Sequence, residues 1–145
     1  MAPTGDGGDI ARLICEQHAT IRELLARVPE ERGVGRRLAF DELAELLAAH
    51  EAVEERVLYP RLRSVGLHGG AVADDRRAEE ATALAMLARL GGVDVEGDAF
   101  APAFAVLRSA VLRHAEREEQ IVLPLLAADP PQPAPRSGHV AVGGP

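Results

Sequence analysis

Four stretches of the chain repeat apolar residues at intervals of three and four, the spacing of one helix face. In the first, Ile10, Leu13, Ile14, Ile21, Leu24, Leu25 and Val28 share a stripe. This predicts a helix capped by Asp9 or Asp6 and running to about Val28, ahead of Pro29. Gly33 and Gly35 mark a turn, after which Leu43, Leu46, Leu47, Val53 and Val57 predict a second helix from about Arg36 to Tyr59. Pro60 should end or kink it, because its ring denies the i−4 hydrogen bond. Residues 63–70 form a loop. A third helix, from Ala71 or Asp74 to Leu90, carries Val72, Ala83, Met86, Leu87 and Leu90 inward and stops at Gly91-Gly92. After an acidic connection from Asp94 to Asp98, a fourth begins near Pro102 with Asp98 or a neighbour as its cap. It runs to about Ala127 on Phe104, Leu107, Val111, Ile121, Val122 and Leu125. The pattern is all-α, an up-down-up-down four-helix bundle over residues 9–127. A polar leader, 1–8, and a Pro/Gly-rich tail, 128–145, have nothing to bury and are expected to be disordered.

The stripes are interrupted by charge at related places. From His50 the chain reads HEAVEERVLYPRL, and from His114 it reads HAEREEQIVLPLL. The copies share His50/His114, Glu54/Glu118, Glu55/Glu119, an aliphatic pair, Pro60/Pro124 and Leu62/Leu126. A His and a Glu four apart lie one above the other on a helix and can share an ion. Glu118 points almost along the centre of its apolar stripe with His114 beside it, and Glu54 and His50 repeat that geometry. A carboxylate buried without a partner is costly, so it must neutralise, meet a cation or bind a metal. The competing outcome is a pair of salt bridges to arginines at the stripe edge. His18 lies on the shoulder of the first stripe. Glu80 flanks the third, with Arg76 one turn earlier, so Glu80 is either a ligand or an i,i+4 ion-pair partner. With alternate helices antiparallel, His18, His50, Glu54, Glu80, His114 and Glu118 can meet at one level of the core.

Composition narrows the function. The 145 residues suit one domain, and a hydrophobic content of 47% with only 3% aromatics favours helices packed through small and aliphatic side chains. A net charge of -7 argues against nucleic acid or an anionic membrane as partner. No apolar run approaches the roughly 18–20 residues of a membrane span, and no basic start leads into an apolar core, so a cytoplasmic location is expected. Cys15 is the only cysteine, which rules out an intramolecular disulfide and suggests a small buried or flanking hydrophobe. His68 reads as a solvated loop residue, and His139 lies in the tail. No Ser-His-Asp set, phosphate loop or CxxC offers another chemistry.

With its doubled HxxxEE…P signature, the chain over roughly residues 9–127 resembles the hemerythrin-like, or HHE cation-binding, family. The resemblance implies two non-haem irons held by His18 within QHATIRELL, by His50 and Glu54, and by His114 and Glu118. Where the family usually carries EH on the third helix, this chain has Glu79-Glu80, so Glu80 stands in the place of a histidine. Three His and three Glu make a harder site, nearer to oxidase and ferritin centres than to a reversible oxygen carrier. The implied partner is a small diatomic ligand or peroxide, with sensing, detoxification, storage, and peroxidase, catalase-like or oxidase turnover all open. Glu51 is a candidate extra ligand. Glu119 competes with Glu118, which is preferred because Glu119 projects roughly 100° off the stripe. Tyr59 would suit Fe(III), but on a regular helix it faces away from His50 and reaches the site only if Pro60 unwinds the end. The alternative is a metal-poor, mononuclear or zinc-binding bundle acting as an interaction or regulatory module.

Overall fold

A computed structural model describes residues 7–128, and within them every regular element is a helix. Helix α1 spans Gly7–Glu30 and α2 spans Gly33–Val53. A π-helical turn, Glu54–Leu58, then leads without a break into α3, Tyr59–Arg63. After a short loop come α4, Gly69–Gly91, and α5, Phe100–Arg117. A second π turn, Glu118–Val122, leads into α6, Leu123–Ala128. The six α-helices and two π turns make four rods in up-down-up-down order.

The ends of the rods differ from expectation in instructive ways. Helix α1 begins at Gly7, inside the stretch expected to be a leader, and runs past Pro29. A proline in the last turn forfeits little of the hydrogen-bond ladder. Residues 1–6 and 129–145, including Asp6 and His139, lie outside the described residues. Helix α5 starts behind Ala99, with no side-chain cap from Asp98. Pro60 does not end its rod: the helix continues to Arg63, with the wider turn placed just before the proline.

Two glycines shape the connections. Gly33 has a φ of 54°, which L side chains rarely adopt, and its N–H donates to Glu96 Oε1 at 2.6 Å. Arg36 reinforces this corner by donating to the carbonyls of Glu31, Pro29 and Val95. At Gly69 an added Cβ would lie 2.0 Å from the Leu62 carbonyl oxygen, so α4 can pass the end of α3 closely only without a side chain.

Apolar packing falls into two bodies. The larger joins Leu24, Leu25, Val28, Phe40, Leu43, Leu87, Leu90, Phe100, Phe104 and Leu107 at one end of the bundle. The smaller joins Ile10, Ile14, Leu58, Tyr59, Leu62, Ala73, Val122, Leu123 and Leu126 at the other. Each buried Leu or Phe contributes about 1.5–3 kcal/mol, so these bodies hold the rods in place. Between them lies a layer of buried His and Glu.

Several residues expected on the stripes face outward. Leu13 is 43% exposed, Val57 43% and Ile121 46%. Cys15, expected to be a small hydrophobe, is exposed, and its thiol is pushed up by burial and by Glu119. This leaves it a poor thiolate. His68 is exposed in its loop, as expected.

Candidate metal centre

All six residues singled out by position, His18, His50, Glu54, Glu80, His114 and Glu118, are buried. They face one another in the layer between the two apolar bodies. Their donor atoms form two overlapping groups, His18–His50–Glu54–Glu118 and Glu54–Glu80–His114, with the atoms of each within 4.8 Å of one another. Glu54 belongs to both. Glu118 also reaches across, since its Oε1 lies 3.0 Å from His18 Nε2, 3.6 Å from His50 Nε2 and 3.5 Å from His114 Nε2. Three histidines from three rods thus converge on a single carboxylate oxygen.

The π turns are responsible for part of this convergence. Each begins at the motif glutamate: the Tyr59 N–H bonds to the Glu54 carbonyl and the Leu123 N–H to that of Glu118, both i→i+5. A proline follows one residue later in each copy, and its ring would crowd the i−4 carbonyl of a regular helix. A widened turn accommodates it. The extra residue also resets the helix face. Five residues of α-helix make about 1.4 turns, whereas an i→i+5 turn brings the fifth residue back over the first. Leu58 and Tyr59, Val122 and Leu123 therefore point inward, and Val57 and Ile121 point out.

Tyr59, which a regular helix would turn away, lies at the site. It is 2% exposed, and its Oη sits 2.8 Å from Glu54 Oε2 and 2.6 Å from Glu80 Oε2. Glu80 is therefore held by the phenol. The pairing with Arg76 does not form: Arg76 Nη2 binds Glu79 Oε1 at 2.6 Å instead.

Two of the histidines have an acceptor behind them, and the third faces a carboxylate beyond hydrogen-bond reach. His50 Nδ1–H donates to Gln17 Oε1 at 2.7 Å. His18 Nδ1–H faces Glu119 Oε1 at 3.4 Å, and Arg22 grips that carboxylate through two bonds of 2.8 and 2.6 Å. His114 Nδ1 looks towards Glu79 Oε2 at 3.9 Å, a carboxylate also bound by Arg76 and Arg117. A proton kept on Nδ1 leaves the Nε2 lone pair facing the cluster, as metal-bound histidines require. Glu119 therefore sits behind His18, held by Arg22, and belongs to neither donor group. Glu51 is half-buried near Glu55 and belongs to neither donor group. Gln17 escaped the sequence reading because it lies off the apolar stripe, and only its position beside His18 hints at a role.

Electrostatics show what the layer costs. Burial disfavours the charged form of His50, yet Glu118 and Glu54 raise it to about 10. Burial opposes ionisation of Glu54 too, but His114 and His50 hold it well below the carboxylate range. Burial and the neighbouring Glu54 raise Glu80 to about 10, so it keeps its proton. One phenolic proton cannot serve two carboxylates, and this extra proton completes the chain from Glu80 through Tyr59 to Glu54.

The donors fit a metal better than they fit one another. Buried Glu54 Oε1, Glu118 Oε2 and both ring nitrogens of His114 have no hydrogen-bond partner, although Glu54 Oε1 lies 2.7 Å from His50 Nε2. Ligands about 2.1 Å from one ion and at right angles lie about 3 Å apart, close to the separations seen. No arginine enters the centre to neutralise Glu54 or Glu118 among the described residues. Against the cluster lies a cavity of about 30 Å³ lined by His18, His50, Glu80 and His114 and by the apolar Ile21, Leu47, Ala83, Leu84, Val111 and Ala115. A water needs roughly 10–15 Å³ on the same measure, so the space suits a molecule of two or three atoms.

Residues 9–126 match the family model of the Hemerythrin HHE cation binding domain. Neither the curated proteins nor the solved structures contain a match.

Proposed function

The chain belongs to the hemerythrin HHE cation-binding family, and from that premise we propose that it is a non-haem di-iron protein that handles O2, peroxide or NO. The observation that carries this is the buried layer of three histidines and three glutamates that face one another, with Glu54 Oε1, Glu118 Oε2 and His114 Nε2 left without a hydrogen bond. His18 and His50 would hold one ion, Glu80 and His114 the other, with Glu54 and Glu118 shared. Bound iron supplies the electrons and the open coordination position for a small oxidant.

The protein's own part is to position and to exclude. Gln17 and Glu119 orient the imidazoles of His50 and His18. The two apolar bodies keep bulk water from the layer, and the small cavity admits a diatomic or peroxide while refusing a larger substrate. Glu80, protonated when no ion is present, can take up or release a proton beside that cavity. An oxygen donor in place of a third-rod histidine favours Fe(III) over Fe(II) and works against reversible oxygen carriage. Oxidant or NO removal fits this balance better, and a cytoplasmic setting fits the lone exposed cysteine. No described helix is long and apolar enough to cross a membrane.

Elemental analysis of protein purified after iron-replete expression tests the proposal. The expected result is about two irons per chain, with consumption of added peroxide or NO. A metal content near zero, or zinc alone, overturns it.

A further inference from the structure

Building on the di-iron proposal, the geometry points to Tyr59 as a ligand of the ion held by Glu80 and His114. Its hydroxyl lies between the carboxylates of Glu54 and Glu80, at 2.8 and 2.6 Å, so three oxygens from two rods converge on one small volume. Such a cluster needs either an added proton or a cation among its members. Tyr59 Oη and Glu80 would hold a trivalent ion in that place as phenolate and carboxylate, each giving up its proton to solvent, with no change of oxidation state.

Comparison of the two motif copies supports the assignment. Position 123, equivalent to 59, is also turned inward by its π turn, but it carries a leucine that packs in the smaller apolar body. The chemistry is thus supplied on one side only. It is also the side that needs it: the His18–His50 group offers two nitrogens, whereas the Glu54–Glu80–His114 group offers one. With the phenolate, the second group becomes an oxygen-rich site for Fe(III).

Tyr59 is the chain's one tyrosine, so ring-deuterated tyrosine labels a single residue. Iron-loaded wild type should show visible phenolate-to-iron absorption and resonance Raman ring modes that shift with the label. Tyr59→Phe should keep most of its iron and lose the band and the modes. Two irons with no phenolate modes in wild type, or a band that persists in Tyr59→Phe, overturns this assignment and leaves the di-iron proposal standing. Absence of iron from wild type overturns both. Should Tyr59→Phe fail to fold, the labelled wild type alone decides.

Discussion

The two HxxxEE motifs are near-duplicates in sequence and in backbone, each with a π turn that starts at its glutamate, yet they serve the site differently. Glu54 is shared by both donor groups, and the residue after it, Glu55, pairs with Arg77 at 2.9 Å near the surface. Glu118 draws three histidines together, and the residue after it, Glu119, backs His18 with Arg22 behind it. Five residues on, one copy places a phenol over the cluster and the other a leucine. A repeated motif here fixes where two carboxylates point. Its neighbours, free to differ, decide what each half of the site is made of.

The sharpest way to break that comparison is to remove a shared ligand and then an unshared one. Glu54→Ala should lower the metal content from roughly two ions per chain to near zero, because both halves lose a donor at once. Glu80→Ala should leave about one ion, held by His18, His50 and the two shared carboxylates. Equal metal content in the two variants, measured by elemental analysis, would mean that the halves are not separate sites.

A second test concerns pH in chelator-treated protein. Glu80 keeps its proton up to about 10 when folded, against 4.5 for a carboxyl in water. The folded state therefore binds an extra proton between these values, and the stabilisation is full below about 4.5 and lost as pH rises towards 10. His50, raised from 6.5 to about 10, acts in the same direction over its own interval. Thermal unfolding of the metal-free form should thus move to lower temperature between pH 6 and 9, as stability falls by an amount on the order of a few kcal/mol. Glu80→Gln should flatten the slope. An unchanged slope in that variant would show that Glu80 does not carry the proton.

The smallest effect separates Glu119 from Glu55. Glu119→Gln removes the charged support of His18 and should speed metal loss to a chelator about 10-fold. Glu55→Gln, at the matching position, breaks only a partly exposed pair with Arg77 and should change the rate little, with stability shifted by less than about 0.5 kcal/mol. Similar rates in the two variants would reduce the asymmetry to an accident of side-chain placement.

Much of this was legible along the chain. The period of the apolar residues yields four rods, and a carboxylate at the centre of a stripe, four residues after a histidine, identifies Glu54 and Glu118 as buried before any packing is known. The apolar stripe failed at Val57 and Ile121 because a constant 100° per residue does not survive a π turn. For the same reason Tyr59 was turned the wrong way. The twin prolines were the available signal: a proline inside two otherwise continuous stripes calls for a widened turn as readily as for a helix end. For Glu80, Arg76 and the core lie on adjoining faces of α4, and position along one helix cannot rank the two partners.

Sequence alone therefore determined the helices, most of their inward faces and the burial of Glu54 and Glu118 beside His50 and His114, since these follow from periodicities local to each rod. Tertiary structure decided the partners: Tyr59 with Glu80, Gln17 with His50, Glu119 with His18, and Arg76 with Glu79. Three of those contacts join different segments, and the fourth, within α4, depends on which of two neighbouring carboxylates the packed core has already claimed. Distances of a few ångströms between rods arise from how the apolar bodies seat the helices, and no repeat along a single helix encodes them.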